Sequence, residues 1–341
     1  MKKNWLSRLN NTIKYLYVNN ICGDDVTVAL SLFQEMSGGV IPASPHQRLD
    51  GYNKEHCWQY DIRLNNLQED IFYSGRSKQY LENLTSTDFE FREVLDREER
   101  RKLAGFIKRH EWLGTLSQFT THWFGAYHEG MLAGVILFNM PNAFSKILGE
   151  DTPKLERLIS RGACISWSPA NLASNFLMWC IRYMVTETDY RLFTAYSDPT
   201  AREIGTIYQA CNFYNLGQRA GTTTRYINPY SGKVVSDRFF RVRSAYKKYA
   251  KELGIGWQKN WNNDQKMLWD NVPDEIELAL RSFSKRKQSQ ATKIDYPPKH
   301  KYAYVLGRDK KETAKLRSQF EVKNKTYPYP KRVKQTTPLS A

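Results

Sequence analysis

The hydrophobic positions of residues 88–240 alternate between strand-like and helical spacing. The run FEFREVL alternates polar and apolar residues as a half-buried strand does, and the next run places Leu103, Phe106 and Ile107 at helical spacing. HWFGAYHEGMLAGVILFNMP then predicts two strands joined at His128–Glu129–Gly130, a polar turn that is typical of a hairpin. The pattern therefore predicts a strand, a helix and a hairpin in succession.

The rest of this region continues the alternation of strands and helices. A strand SRGACISW, a helix starting near Asn171–Ser174, a strand RLFTAYS, a helix PTAREIGTIYQACNF, and strands YNLGQR and TTTRYINP follow in that order. Such an order predicts an α/β fold, with an α+β mixed sheet and at least one parallel crossover. Further along, RVRSAYKKYAKEL predicts a helix and KHKYAYVLG a last strand.

The N-terminal region has a different pattern. Amphipathic spacing predicts helices over residues 1–20 and from Asp24–Asp25 to Gly38–Gly39. Strand-like pieces follow at Trp58–Leu64 and Ile71–Tyr73, and no chemistry is assigned to them. The chain is therefore predicted to have three parts: an N-terminal extension of unknown role (1–87), a catalytic core (88–240) and a basic C-terminal segment partly packed on the core (241–341).

Composition narrows the class of protein. With 41% hydrophobic residues in 341, the chain can build a sizeable core, and no stretch approaches the roughly 18 to 20 apolar residues of a membrane span. The five cysteines are an odd number without a C-x-x-C pair, which argues against a disulfide framework and a zinc ribbon. The N-terminus lacks the apolar run of a signal peptide. A cytoplasmic location is expected.

The charge is concentrated near the C-terminus. The formal net charge is +16, and residues 281–341 carry 17 basic and 4 acidic residues. Such a block is typical of a polyanion binder, and the alternative is a solvated tail that aids solubility. Tyrosines and prolines between the charges favour nucleic acid as the partner. The candidate residues for binding it are Lys285, Arg286, Lys287, Lys299, Lys301, Lys331 and Arg332.

Two predicted strand–helix junctions carry polar residues. In open α/β sheets, ligands lie beyond the carboxyl ends of the strands, where helix N-termini present free N–H groups. The junctions here are residues 166–174, SWSPANLAS, and residues 196–200, YSDPT. Asp198 can cap a helix with Pro199 in its first turn, or it can serve as a functional carboxylate. The sequence leaves both interpretations open.

The order of several segments resembles the Mom family of phage DNA-modification proteins, which decorate adenine bases to block host restriction. The segments are FIKRHEWLG at 106–114, FGAYHEGMLAGVILFNMP at 124–141, LISRGACIS at 158–166, NLASNFLMWCIR at 171–182 and FTAYSDPTAREIGTIYQACNFYNLG at 193–217. The resemblance covers roughly residues 88–335 and is most specific in the last segment. It implies a GCN5-related N-acetyltransferase-like core that transfers a small group to an exocyclic amine of a base. It also implies double-stranded DNA as the partner, in the host cytoplasm if the protein is phage-encoded.

The resemblance also implies site residues. Arg161 offers a planar fork for a phosphate or carboxylate. Asp198 would orient an exocyclic amine or accept its proton, and Tyr208 would act as general acid or stack on a base. His110 would be a base or a metal ligand. The resemblance also predicts Ser174 and Tyr127 as substrate- or cofactor-binding residues. Trp112 is a further candidate outside the family pattern, as an aromatic side chain that can stack on a base. The structural alternatives are a sheet-edge ion pair for Arg161, a core aromatic for Tyr208 and a satisfied turn residue for His110.

The sequence departs from the family pattern at three places. Glu111-Trp112 replaces an aromatic residue after the histidine, and Arg202-Glu203 replaces a glycine and a histidine. The stretch SPANLASNF has no glycine, whereas acyl-CoA enzymes of this fold use a glycine-rich loop to cradle a pyrophosphate. Binding of acetyl-CoA in the ordinary way is therefore not expected. The family implies a methylcarbamoyl transfer and iron, with His110 as the candidate ligand.

The sequence thus predicts a DNA base modifier whose target base is flipped into a pocket. Two alternatives remain: a catalytically inert DNA-binding protein on the same fold, and an ordinary acyl-CoA-dependent N-acyltransferase. Neither the donor nor the oligomeric state can be assigned from the sequence.

Overall fold

The computed structural model describes residues 57–141, 145–220, 224–228, 230, 232, 234–263 and 266–331. The chain forms two compact units. The first, termed the sheet unit, comprises residues up to Arg219 together with those from Lys299 onward, and the second, termed the inserted unit, is Ala220–Pro298. The helices expected before residue 40 lie outside the described residues, and the three-part division of the chain stays a prediction.

A seven-stranded mixed sheet forms the centre of the sheet unit. Its elements are α1 (Trp58–Ser74), α2 (Lys78–Glu82), β1 (Glu90–Glu93), α3 (Arg97–His110), β2 (Thr120–His128), β3 (Met131–Asn139), α4 (Thr152–Leu155), β4 (Glu156–Cys164), α5 (Leu172–Glu187), β5 (Leu192–Ser197), α6 (Thr206–Ala210) and β6 (Tyr214–Ala220), and, after the inserted unit, β10 (Lys299–Val305) and α9 (Lys310–Lys323). The strand order is β1-β2-β3-β4-β5-β10-β6. Strands β1 to β4 pair antiparallel and β4 pairs parallel with β5, so the predicted mixed α/β fold is confirmed.

The two faces of the sheet are covered by different helices. On β3, Ile136 and Phe138 pack in one buried cluster with the apolar residues of α5. Val135 and Leu137 pack in the other cluster, with those of α3. Alternate residues of a strand point to opposite faces, so the nearly continuous apolar run in β3 reflects burial on both sides.

The parallel pair β4–β5 separates along its length. Its register runs from Glu156 opposite Leu192 to Ile159 opposite Ala195. Strand β4 then continues to Cys164 paired with β3, while β5 continues to Ser197 paired with β10. The separated ends of these strands leave room for a cavity inside the sheet.

The strand-like pieces predicted before residue 75 are wrong, because the structure forms the single helix α1 there. Asp61, Ile62 and Asp70 are buried on this helix. The helix ends at Gly75, whose φ of 63° lies in the left-handed region that glycine adopts without strain. The stretch was predicted as strands because it is rich in aromatic and branched residues, which are common in strands.

The helix predicted after Asp198 is interrupted, which is a second correction. A 3₁₀ turn, Pro199–Ala201, precedes the short α6. Between them, Arg202 and Gly205 have φ values of 55° and 68°. A Cβ on Gly205 would lie 2.5 Å from the ring of Tyr302, so the backbone approaches that ring closely. The linker therefore turns twice, and Glu203 lies between the two turns.

The basic C-terminal segment contributes an interior strand. Strand β10 lies between β5 and β6, with Tyr302, Ala303 and Val305 fully buried. Asp309 caps α9 by accepting a hydrogen bond from the Glu312 N–H. None of the helices in the described ranges is long and apolar enough to cross a membrane.

The inserted unit has its own core. Its elements are β7 (Thr224–Ile227), β8 (Val234–Val235), α7 (Arg243–Glu252), α8 (Asp274–Gln290) and β9 (Lys293–Asp295). The strands form an antiparallel sheet in the order β8-β7-β9. Tyr249 of α7 and Leu280 and Phe283 of α8 pack in one buried cluster with Trp261.

Candidate functional site

A cavity of about 520 Å³ lies where β4 and β5 separate. Helix α1, the segment after α3, the two strands and the linker before α6 all contribute to its wall. The structure brings together here several residues that were predicted as site residues: Trp112, Arg161, Asp198, Tyr208 and Lys299. The predicted His110, Tyr127 and Ser174 do not line this cavity.

Asp198 acts as a cap at the end of β5. Its Oδ1 accepts hydrogen bonds from the Thr200 N–H at 3.0 Å and the Thr200 hydroxyl at 2.6 Å. Its Oδ2 lies 3.0 Å from Lys299 Nζ. Burial raises the pKa of this carboxyl, but the Thr200 hydrogen bonds and the Lys299 charge outweigh burial, so the pKa lies below its usual value. Asp198 is therefore an ionised cap, and its role towards an amine stays a prediction.

Arg161 lies on β4 beyond Ile159, the last residue of this strand that pairs with β5, so this edge of the strand faces the cavity. Its Nε donates to the Thr115 carbonyl at 2.6 Å, and its Nη1 donates to the carbonyl of Ser160 at 2.5 Å. Glu111 Oε2 lies 3.9 Å from Nε. Backbone carbonyls thus hold the guanidinium at the cavity wall beside a carboxylate.

Tyr208 lies on α6 with its ring packed against Phe213 and Tyr302, at centroid distances of 5.3 Å for both. Burial raises the pKa of its phenol, and the negative charges of Glu203 and Glu111 raise it further. The phenol is therefore neutral at pH 7 and holds a proton that it can donate. The residue is both a core aromatic and a cavity residue.

His110 ends α3 away from the cavity. Its Nδ1 lies 3.6 Å from Asp70 Oδ2, and its ring packs on Phe106 at a centroid distance of 4.2 Å. Asp70 also accepts from Arg109 Nη2 at 2.8 Å and from the Ser166 N–H at 3.2 Å. His110 therefore belongs to a buried polar network that joins α1 to α3.

Tyr127 and Ser174 are also engaged in local contacts. The Tyr127 hydroxyl donates to Glu99 Oε1 at 2.7 Å, and the Arg92 guanidinium lies 4.3 Å from its ring centroid. The Ser174 hydroxyl donates to the Asn171 carbonyl at 3.1 Å within the first turn of α5. The binding roles of these two residues stay predictions.

The residues present do not fit the iron implied by the resemblance. In the part of the chain that the structure describes, no group of three or more His, Cys, Asp or Glu side chains could hold a metal ion. The carboxylate nearest to His110 is already engaged by Arg109 and by a backbone N–H. No chemical step is therefore assigned to iron.

The glycine-free loop after β4 is tied to α1. Arg63 Nη2 donates to the carbonyls of Ser166 at 3.1 Å and Ser168 at 3.2 Å. These contacts hold the loop between β4 and α5 against α1. The expectation that acetyl-CoA does not bind in the ordinary way stays a prediction.

Sequence reasoning missed a pair of glutamates in the cavity wall. Glu203 Oε1 accepts from Trp112 Nε1 at 2.9 Å, and its Oε2 accepts from the Asp198 N–H at 3.3 Å. Burial and the charge of Glu111 raise the pKa of Glu203 to about 7. Glu111 and Glu203 were noticed only as departures from the family pattern, and their distance in the sequence gave no sign that they line one cavity.

Helix α1 was also missed as part of the site. Gln59 donates from Nε2 to the His110 carbonyl at 2.6 Å and accepts at Oε1 from the Trp112 N–H at 3.1 Å. Across the cavity, Asn139 is buried, and within the described residues no hydrogen-bond partner reaches its Oδ1. The segment predicted as an extension of unknown role thus holds a wall of the cavity.

The predicted DNA-binding residues fall in both units. Lys299 faces Asp198, and Lys301 Nζ lies 5.7 Å from the Tyr196 ring centroid, where burial lowers the pKa of its ammonium group. In the inserted unit, Lys285 and Arg286 are exposed on α8 and Lys287 Nζ pairs with Glu252 at 2.7 Å. Lys331 is exposed, and Arg332 lies outside the described residues.

Several solved acetyltransferases are similar to this chain at low identity. An N-acetyltransferase from Staphylococcus aureus Mu50 is 18% identical with a TM-score of 0.24, over 31% of this chain and 56% of its own. RimL, a ribosomal L7/L12 α-N-protein acetyltransferase, is 13% identical with a TM-score of 0.32, over 65% of this chain and 96% of its own. A probable acetyltransferase from Staphylococcus epidermidis ATCC 12228 is 8% identical with a TM-score of 0.32, over 64% and 99%. At these TM-scores the similarities support no inference about activity.

At the sequence level, no curated protein matches the chain. The Mom protein family matches residues 95–331, a range that includes β2 to β10 and every predicted site residue except Arg332. Helix α1 lies before this range. Because the match extends over well more than half of its length, the chain belongs to the Mom protein family.

Proposed function

We propose that the protein is a transferase that adds a small group to an exocyclic amine of a DNA base, with adenine as the expected base. This modification would protect phage DNA from host restriction. The observation that carries the proposal is the meeting of Arg161, Asp198 and Tyr208 at one cavity in a member of the Mom family. Three residues that are far apart in the sequence line the same cavity.

The size and wall of the cavity suit a flipped base. Its volume of about 520 Å³ lies within the range of roughly 300–1,000 Å³ that is usual for small-molecule pockets. Enzymes that act on a base within a duplex turn it out of the stack into such a pocket. Trp112 and Tyr208 supply aromatic surface, and the neutral Tyr208 phenol can protonate a leaving group.

Duplex DNA is the proposed partner. The chain has a net charge of +16, and exposed cations such as Lys285, Arg286 and Lys331 are suited to phosphate contacts. These contacts would supply affinity, while the cavity would supply the chemistry. The two contributions can therefore be tested separately.

Mass analysis of nucleosides tests the proposal. DNA would be isolated from cells that express the wild-type protein or the Tyr208→Phe variant, digested and compared. We expect a new adduct in the wild-type sample and a loss of about a hundredfold or more in the variant. Unmodified DNA from the wild-type sample would contradict the proposal. If the DNA is unmodified but the protein binds it tightly, the result would support an inert DNA-binding protein. If the protein neither modifies nor binds DNA, the remaining alternative is an ordinary N-acyltransferase.

A further inference from the structure

Glu203 occupies the linker between β5 and α6. The left-handed residues Arg202 and Gly205 turn the chain on either side of it, so its side chain lines the cavity instead of following the surface of a helix. Arg202 is not a glycine, and a left-handed conformation in such a residue costs of order 1 kcal/mol or more. The fold thus maintains an unfavourable backbone conformation at the position that places this carboxylate.

Two neutral donors hold the Glu203 carboxylate. The indole N–H of Trp112 binds one oxygen and the backbone N–H of Asp198 binds the other. Within the described part of the chain, no cation lies at ion-pair distance from Glu203. Asp198 differs in this respect, because Lys299 Nζ lies 3.0 Å from its Oδ2. A carboxylate without a counter-charge retains more affinity for a proton than one in an ion pair.

The negative charges around Glu203 also raise the pKa of its carboxyl group. Glu111, after α3, raises the pKa of Glu203, and Asp198, after β5, adds a smaller repulsion. Tyr208 of α6 faces it as a neutral phenol, and Arg161 of β4 is held at backbone carbonyls. With burial as the largest cause, the pKa of Glu203 reaches about 7. A base with a pKa close to the working pH gives efficient proton transfer.

We infer that Glu203 is the general base that removes the proton from the attacking amine, an inference that rests on the proposed function. The nitrogen lone pair forms a bond to the carbonyl carbon of an acyl-type donor, and the N–H proton passes to the Glu203 carboxylate. The bond between that carbon and the leaving group breaks, and the leaving group departs with the electron pair. Tyr208 gives the leaving group its proton, and the proton on Glu203 restores the phenol directly or through solvent.

Adduct yields from cells test this role. Glu203→Gln keeps the shape of the side chain but cannot take up a proton at neutral pH, so we expect its yield to fall about a hundredfold or more. Glu203→His supplies a base with an unperturbed pKa of about 6.5, and we expect it to recover at least a tenth of the wild-type yield. Glu98→Gln, on the exposed side of α3, is the matched control and should equal the wild type.

Folding and DNA binding are measured on the same purified variants. We expect Glu203→Gln to keep the wild-type DNA affinity and a Tm close to that of the wild type, because removal of a repelled buried charge offsets the loss of one acceptor towards Trp112 or the Asp198 N–H. A wild-type adduct together with an equal yield from Glu203→Gln would overturn the inference. A lower yield with a lower Tm, or without rescue by Glu203→His, would overturn it in favour of a structural role. Absence of an adduct from the wild type would instead contradict the proposed function.

Discussion

Trp112 donates its indole N–H to Glu203 Oε1 across 2.9 Å. Both residues lie where the sequence departs from its family pattern, at Glu111-Trp112 and at Arg202-Glu203. The two departures thus form one contact at the cavity wall. This contact joins the segment after α3 to the linker before α6, so a change at either position affects the other.

Stability should depend on the protonation of Glu203. Its pKa is raised from 4.5 to about 7, so the folded state retains a proton that the unfolded chain has lost in this range. The contribution to stability is complete below pH 4.5 and is lost as the pH rises through about 7. We expect Glu203→Gln to flatten the profile of Tm against pH, because its amide has no proton to lose in this range. Circular dichroism melts from pH 5 to 8 would measure this, and identical slopes for wild type and variant would contradict it.

Asp198 should matter as a cap more than as a base. Asp198→Ala removes the oxygen that accepts from the Thr200 N–H, and the loss of such a cap costs about 0.5–2 kcal/mol. Asn caps almost as well, so we expect Asp198→Asn to be the more stable variant and to retain adduct formation. Urea unfolding and nucleoside analysis measure the two effects. A stable Asn variant that forms no adduct would place the proton transfer at Asp198 instead.

Helix α1 should be required for the cavity although it precedes the range of the family match. Gln59→Ala removes two hydrogen bonds, to the His110 carbonyl and from the Trp112 N–H. A partly buried backbone group left without a partner costs about 1–3 kcal/mol. We expect a lower Tm and a reduced adduct yield, whereas Gln68→Ala, exposed on the same helix, should resemble the wild type. Equal behaviour of the two variants would contradict a role for α1 in the site.

Gly205 should resist substitution more strongly than another left-handed glycine. Gly205 and Gly254 have φ values of 68° and 70°, but only at Gly205 would a Cβ meet the ring of Tyr302, at 2.5 Å. Gly254→Ala would lose stability only because alanine is unfavourable in a left-handed conformation, at a cost of about 1–2 kcal/mol. We expect Gly205→Ala to cost distinctly more in urea unfolding. Equal losses would mean that the Tyr302 contact is relieved without cost.

Exposed cations of α8 should contribute to the salt dependence of DNA binding. Lys285 and Arg286 are exposed, whereas Lys287 pairs with Glu252. Each lost phosphate contact lowers the slope of log K against log salt by roughly 0.9. We expect a double variant, Lys285→Ala with Arg286→Ala, to lower the slope of log K against log salt by about 1 to 2. The single variant Lys287→Ala should change this slope less. Fluorescence anisotropy at several salt concentrations measures the slopes, and unchanged values would exclude α8 from the DNA contact.

The regular elements could be predicted because their residues repeat with a clear period. Helix α3 and the β2–β3 hairpin begin and end close to the predicted positions, and α5 begins close to its predicted start. The meeting of Arg161, Asp198 and Tyr208 followed from the family resemblance, since no spacing in the sequence indicates it. Their local partners, such as Thr115 and Thr200, required the structure.

The position of Glu203 at the cavity could not be predicted from the sequence, and the backbone explains why. Arg202 carries no sequence signal for a left-handed conformation, so the pattern favoured one continuous helix over this stretch. On such a helix, Glu203 would have been one more surface glutamate. The missed helix α1 has a similar cause, because its aromatic and branched residues suit a strand as well as a buried helix face.

The late position of β10 in the chain affects biosynthesis. Strand β5 ends at Ser197, and its neighbour β10 begins only at Lys299, after the inserted unit. At a ribosomal rate of roughly 5–20 residues per second, the edge of β5 would wait about 5–20 s for its partner. An uncovered strand edge can pair with other chains. The nascent protein would therefore acquire both its finished sheet and the cation beside Asp198 in the same late step, and chaperones would matter most during that interval.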